Sequence, residues 1–292
     1  MNVWVTGANG QLGQALQSVS HRFPEMRFFW TSHQDFDIRQ PETKFCGSQN
    51  ISSWIKQNHI HAIVNCAAYT QVDLAESNPQ SAFAVNAGGV AFLAKIAQRH
   101  HLRLIHISTD YVFDGKKNTP YQEDDATNPI NIYGLSKRAG EEAILNIAPK
   151  NAMIIRVSWL YGMGENHFIK TILRLWQMQK TLSVVADQIG SPTYALDFAE
   201  AILTILPKIN HDKPQIYHYA NGGEVSRFDW ARTAFEWQNE AIKITPTNTK
   251  QTFQGACRPL YSVLNTEKIQ RDFALIIPSW QDGLRRYLEG LA

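Results

Sequence analysis

The sequence predicts an α/β fold, a doubly wound parallel sheet followed by a smaller α/β lobe. Three observations carry the prediction. Short apolar runs alternate with helix-forming segments through the first 160 residues, a glycine-spaced turn separates the first run from the first helix, and the apolar runs end at their carboxyl sides in small or polar residues. Strands buried on both faces read as continuous apolar runs, and their alternation with helices marks parallel crossover units. A chain of 292 residues can bury a large core. We expect a dinucleotide-binding domain over residues 1–160 and a mainly substrate-binding lobe over 161–292, some of whose elements return to the first sheet.

Val3-Trp4-Val5 reads as the first strand and Gln14 to Val19 as the first helix, joined by Thr6-Gly7-Ala8-Asn9-Gly10-Gln11-Leu12-Gly13. Strand, glycine turn and helix give the glycines a phosphate-binding meaning. Gly7 makes the tight turn, Gly10 lets the backbone approach a pyrophosphate, and Gly13 lets helix and strand pack closely; the helix N-terminus offers free N–H groups to the phosphates. A plain glycine-rich turn is the competing reading. The second strand, Arg27 to Trp30, runs into Thr31-Ser32-His33, where neither an acid for ribose hydroxyls nor an arginine for a 2′-phosphate stands. Asp37 and Ile38 follow, placed to close over an adenine or to lie in a solvated loop.

His61 to Ala68 reads as a third, buried strand whose small carboxyl end lets a flat cofactor approach. Pro79 to Arg99 has helical spacing of apolar residues, with Asn86 inside it. Leu102 to Phe113 is a further strand, broken at Ser108-Thr109-Asp110. A hydroxyl there points into the crevice where such sheets bind ligands, so Thr109 is a candidate donor to a substrate oxygen. A polar loop leads to Tyr133-Gly134-Leu135-Ser136-Lys137, which opens a helix-rich segment. Residues four apart share one helix face, and an ammonium beside a phenol is expected to lower the phenol's pKa, making Tyr133 a usable proton donor. Met153 to Val157 forms the next strand, with Trp159 just beyond it. After that come a helix over 167–179, a strand at Leu182, a helix from Tyr194, a strand over Gln215 to Ala220 and a helix from Arg227 to Trp237.

Composition narrows the function classes. Twenty-eight Lys and Arg against 26 Asp and Glu give a net charge of +2, without the basic excess of a nucleic-acid binder. Cys46, Cys66 and Cys257 match neither a disulfide framework nor a zinc set, so reduced, packed thiols are expected. The chain enters a strand at once, with no room for a signal peptide, and no apolar stretch reaches membrane-spanning length. A cytoplasmic protein without nucleic-acid or membrane partners is expected.

Taken together, the glycine turn, Val64 to Asp73, Ser108 to Gly115, Tyr133 to Glu141, Arg156 to Gly162 and Asp187 to Thr193 resemble the extended short-chain dehydrogenase/reductases that act on nucleotide sugars. The resemblance covers nearly the whole chain. Dehydratases of the group carry an acid after the Thr-Asp pair, whereas Tyr111 stands here; the resemblance therefore implies reduction of the C4 ketone of a dTDP-linked 4-keto-6-deoxy sugar, on the way to a surface polysaccharide. It implies NADPH or NADH as coenzyme, on a Rossmann domain, held by Gly7, Asn9, Gly10, Gln11, Leu12, Gly13, Asp37, Ile38, Ala67, Ala68, Tyr69, Ser108, Tyr133 and Lys137. Tyr133 is then the proton donor to O4, Lys137 holds the nicotinamide ribose, and Thr109 bonds the carbonyl oxygen as charge develops. Thr109, Asp110 and Trp159 contact the sugar nucleotide. Some members form homodimers through Mg2+ on glutamates. Gln14 stands where one of them is expected, although Glu289 remains, and an amide is a poor ligand for a hard cation, so no metal residue is assigned. Two rivals stand beside this reading: an epimerase or a reductase of another 4-keto sugar nucleotide, and a non-catalytic nucleotide-binding subunit, whose mark would be erosion of the Thr, Tyr and Lys set.

Overall fold

Complete burial explains the uninterrupted apolar strands. The computed structural model describes residues 1–39, 50–164, 167–179, 181–238, 243–252 and 255–291, which leaves Cys46 outside. Within them, β1 (Asn2–Thr6), β2 (Arg27–Thr31), β3 (Ala62–Asn65), β4 (Arg103–Thr109) and β5 (Ala152–Val157) form a parallel sheet in the order β2-β1-β3-β4-β5, extended beyond β5 by the strand Gln215–Tyr219. Every residue of β3 and β5 is buried. Alternate residues of β1 feed the two faces: Val3 and Val5 meet helix α1 (Gln11–Val19) and the helix Ala195–Ile205, while Trp4 meets Ile55, Leu93 and Ile96 on the other side.

The sheet winds both ways from β1, with β2 on one side and β3 on the other. Ligands of open α/β sheets bind outside the carboxyl ends of the strands at such a reversal. The second half of the chain serves two structures. Gln215–Tyr219 pairs with β5 and Ala195–Ile205 covers the sheet, whereas Tyr161, Trp176, Trp230, Phe235, Leu284 and Tyr287 make a separate aromatic core in the lobe. Short strand pairs brace that lobe, among them Leu160–Tyr161 with Thr193–Tyr194 and Ile189–Gly190 with Val225–Ser226.

The helix read over Pro79 to Arg99 is three pieces. Pro79–Phe83 and Val90–His100 flank a π-helical stretch, Ala84–Gly89. Its Asn86 is fully buried, accepts from Tyr69 N, and donates to Tyr69 O and Ser136 Oγ. The wider turn thus fixes the loop after β3 to the helix of Tyr133. Cys66 is half-buried and Cys257 exposed, both free, so the packed-thiol expectation fails at Cys257. Among the described residues no helix is long and apolar enough to cross a membrane.

Candidate active site

The glycine turn lies at the reversal between β1 and β3. Gly7 has φ +69°, and a Cβ there would stand 2.5 Å from Ala67 N; a Cβ on Gly13 would stand 2.5 Å from Gly7 O. Both positions exclude a side chain, the condition for a phosphate-bearing ligand to approach the backbone. Helix α1 begins after Gly10 without a side-chain cap, leaving its first N–H groups free for an anion. Asn9 is exposed and Gln11 half-buried, whereas the Leu12 side chain belongs to the core, so Leu12 can offer a ligand only its backbone. Ala67, Ala68 and Tyr69 line the β3 side, half-buried. Beneath them Thr6 Oγ1 donates to Asn65 Oδ1 at 2.7 Å, and the same oxygen accepts from Ala67 N at 3.1 Å.

Beyond β2 the structure separates Asp37 from Ile38. Ile38 is buried against Gly89, where any Cβ would meet it at 2.6 Å; its side chain is core and cannot cover an adenine. Asp37 is gripped by Arg39, whose Nη2 lies 2.6 Å from Oδ2 and 3.0 Å from His33 Nε2. That pairing holds the Asp37 carboxyl below its usual range. Arg39 is the cation missing from the sequence reading of this corner. It stands eight residues beyond Thr31, the end of β2, and folds back to His33.

The helix Ile132–Ile147 carries the proton-transfer candidates. Asn131 caps it by accepting from Gly134 N at 2.7 Å and donates to Cys257 O at 2.6 Å. A Cβ on Gly134 would lie 2.1 Å from Tyr111 O, and one on Gly140 2.1 Å from Asn86 O, so glycine brings the helix against both the β4 exit and the π-helical stretch. Tyr133, Lys137 and Glu141 share a helix face. Lys137 Nζ donates to Ile107 O at 2.6 Å and lies 3.4 Å from His106 Nε2. Burial brings the Lys137 ammonium down to about 8, against the pull of Glu141, and burial with the Lys137 charge keeps His106 neutral. Glu141 pairs with Arg156 at 2.8 Å and accepts from Ser108 Oγ; all three are buried. Ser108 is therefore held inside the fold. Continuation of the four-residue spacing to Glu141 was the signal available for this residue.

Spacing alone predicts that Lys137 lowers the Tyr133 pKa. The structure gives the opposite direction: burial raises the phenol well above its ordinary value, a hydrogen bond with Thr109 works against this, and Asp110 works with it. Desolvation of the phenolate outweighs the neighbour that spacing identifies, because Lys137 is turned toward the Ile107 carbonyl.

The substrate wall faces this helix. Thr109 and Asp110 are buried at the carboxyl end of β4, and Thr109 Oγ1 donates to Asp110 Oδ1 at 3.0 Å. Tyr111 meets Tyr133 edge to face with 5.8 Å between ring centres. Trp159 follows β5 in a left-handed conformation (φ 46°), unusual for a bulky residue and often a sign of a functional constraint. Its indole fills the space a side chain on Gly190 would need and lies under the Arg227 guanidinium, 3.6 Å from the ring centre. The charges of Arg227 and Arg258 both act on the Tyr111 hydroxyl, and Arg258 Nη2 pairs with Asp73 at 2.8 Å. The sequence reading missed both arginines. Each comes from a segment with no local motif, 116 and 147 residues after Tyr111.

The glycine cradle, the Tyr–Lys helix and the aromatic wall lie in a chain that one family model spans. The family model described as the RmlD substrate binding domain matches residues 1–292. The chain belongs to the RmlD family. A dTDP-4-dehydrorhamnose reductase of Sinorhizobium fredii is 38% identical over 299 residues, covering 100% of this chain and 98% of its own. A dTDP-4-keto-6-deoxy-D-glucose reductase of Streptomyces niveus is 34% identical, covering 96% and 94%. A dTDP-4-dehydrorhamnose reductase from Bacillus anthracis, solved in complex with NADP, superposes with a TM-score of 0.90 at 36% identity over 99% of both chains. Gln14, the amide at the position where a metal-binding glutamate is expected, donates to Asn9 O, and Glu289 pairs with Arg285.

Proposed function

We propose that this protein reduces the C4 ketone of dTDP-4-dehydrorhamnose (dTDP-4-dehydro-6-deoxy-L-mannose) to dTDP-L-rhamnose with NADPH or NADH. The observation that carries the reading is the convergence of Tyr133, Thr109 and Lys137 beside the glycine cradle, in a chain similar over its full length to reductases of that name. The cradle fits a dinucleotide: two glycines admit no Cβ and an uncapped helix end faces the turn. Gly7, Gly10 and Gly13 with the N–H groups of Gln11 and Leu12 would hold its phosphates, Ala67, Ala68 and Tyr69 its flat surface, and Lys137 its ribose. One hydride for C4 is the chemistry NAD(P)H supplies when bound.

The chain's own residues do the rest. Tyr133 gives the proton that O4 takes up; burial raises its pKa, so it is protonated at neutral pH but a weaker donor than a free phenol, and hydrogen bonding with Thr109 offsets part of that rise. Thr109 donates to O4 as negative charge grows there. Trp159 forms the apolar wall against which the sugar is oriented, and Arg227 fixes the indole. Glu141, paired with Arg156, holds the helix against β4 and β5. A second reading, a reductase giving the other C4 configuration or acting on another 4-keto sugar nucleotide, is favoured by the likeness to the Streptomyces niveus protein. We place the reaction in the cytoplasm and propose a homodimer, which sedimentation tests.

Loss of reduced-coenzyme absorbance with dTDP-4-dehydrorhamnose generated in place is the assay. Tyr133→Phe is expected to lower kcat by about 10²- to 10⁴-fold with coenzyme binding retained. Near-normal turnover in that variant removes Tyr133 from the chemistry, and turnover confined to another 4-keto sugar nucleotide selects the second reading.

A further inference from the structure

Thr109 has one hydroxyl proton, and with Asp110 ionised the carboxylate takes it, because a carboxylate can only accept. Oγ1 donates to Asp110 Oδ1 at 3.0 Å and accepts from Tyr111 N at 3.2 Å. A hydroxyl offers one donor and two acceptor sites, so in this arrangement Thr109 has nothing left to donate to a ketone oxygen. The reductase reading requires that donation. The other Asp110 oxygen, Oδ2, is buried with no hydrogen-bond partner among the described residues, and the whole residue is 2% exposed. A carboxylate so placed is poorly solvated and favours taking up a proton.

We propose that Asp110 is a positioning residue whose protonation sets the direction of the Thr109 hydroxyl. As a carboxylate, Asp110 draws the Thr109 proton toward itself and away from the substrate. As a neutral acid it donates to Thr109 Oγ1; with Tyr111 N this fills both acceptor sites and turns the hydroxyl proton toward O4. The rearrangement consumes no proton. Tyr133 still supplies the one that O4 keeps, and Asp110 retains its own through turnover. The inference rests on the reductase reading above.

Several groups act on Asp110. Burial favours the neutral acid; against it, hydrogen bonding with Ser262 of the C-terminal segment, then with Thr109, then the charge of Arg227 from the helix Arg227–Trp237 favour the carboxylate, while the Tyr111 and Tyr133 hydroxyls nearby are neutral. Burial outweighs them and carries the carboxyl up to about 6. The acid form is therefore lost as pH rises through that value, and kcat should fall with it.

The test is the pH profile of kcat at saturating substrate and coenzyme. In the unaltered protein kcat should drop about tenfold between about pH 5 and pH 8, the size of one charge-assisted hydrogen bond to the reacting oxygen, with a midpoint near 6. Asp110→Asn, whose amide donates to Thr109 at every pH, should abolish the step. Thr109→Ser should keep it and Thr109→Val should remove it, which tests the idea even if the asparagine variant does not fold. A flat profile in the unaltered protein overturns the proposal. So does a step that survives Thr109→Val, or an Asp110→Asn variant with raised KM and an unchanged step, which would make Asp110 a sugar ligand only. Failure of the reductase reading looks different: no turnover with either coenzyme at any pH.

Discussion

The two sides of the cleft are built by different means. On the coenzyme side the surface is backbone: Gly7, Gly13 and the start of α1 leave no room for added carbons, and the segments that meet there are consecutive in the sheet. On the substrate side the surface is side chains, drawn from Thr109 to Tyr111, Trp159, Arg227 and Arg258 and joined by stacking and hydrogen bonds rather than by strand pairing. A diphosphate common to many enzymes can be held by peptide N–H groups, which every sequence possesses. A particular sugar needs particular side chains. The coenzyme side should therefore tolerate no substitution, while the substrate side should tolerate exchange at the cost of affinity and choice of substrate.

Gly7→Ala tests the first half and carries the largest expected effect. A left-handed conformation costs an alanine about 1–2 kcal/mol, and the added carbon meets Ala67 N at 2.5 Å, a backbone atom locked by Asn65. Coenzyme affinity measured by calorimetry should fall by more than about 100-fold, with the unfolding midpoint lowered as well. Retained affinity would mean that the turn is structural and the dinucleotide lies elsewhere.

Arg227→Leu tests the second half. The guanidinium covers Trp159, and a desolvated cation–π contact contributes about 2 kcal/mol. KM for the sugar nucleotide should rise about tenfold to thirtyfold while the coenzyme Kd stays within about twofold. If both constants moved together, the two sides would not be separable and the contrast drawn above would fail.

The same contrast explains what was legible in the sequence. The parallel sheet and the glycine turn were, because alternating apolar runs and glycine spacing are local signals that the strands then realise. Tyr133 and Lys137 were visible as a pair, but the direction of the Tyr133 shift was not: spacing reports a neighbouring ammonium, whereas burial in the folded chain raises the phenol, with Asp110 and Tyr111 adding to the rise. The burial of the Ile38 side chain was not legible because it depends on Gly89, 51 residues later in the chain. Arg227, Arg258 and Asp73 carry no motif; Asp73 and Arg258 meet across 185 residues. Asn86 was noticed but read as part of a regular helix, since nothing local announces the π-helical stretch that aims it at Tyr69.

Lys137 gives the smallest effect and the finest division between function and fold. In the folded chain burial depresses its pKa from 10.5 to about 8. At pH 7 the fold therefore carries a buried ammonium that the unfolded chain would hydrate, a destabilising contribution fully present below about pH 8. It fades as pH rises toward 10.5, because the folded state releases its proton first and the unfolded chain then binds more protons than the folded one. Lys137→Met removes the charge and also the hydrogen bond to Ile107 O, which offsets part of the gain. The variant should be more stable than the unaltered protein by about 1–2 kcal/mol at pH 7 and by progressively less toward pH 10, while losing coenzyme affinity and turnover. Denaturant unfolding at the two pH values reads this directly. A variant less stable at pH 7, or a difference independent of pH, would show that the lysine supports the fold, and the coenzyme side would then owe its rigidity to charge as well as to backbone.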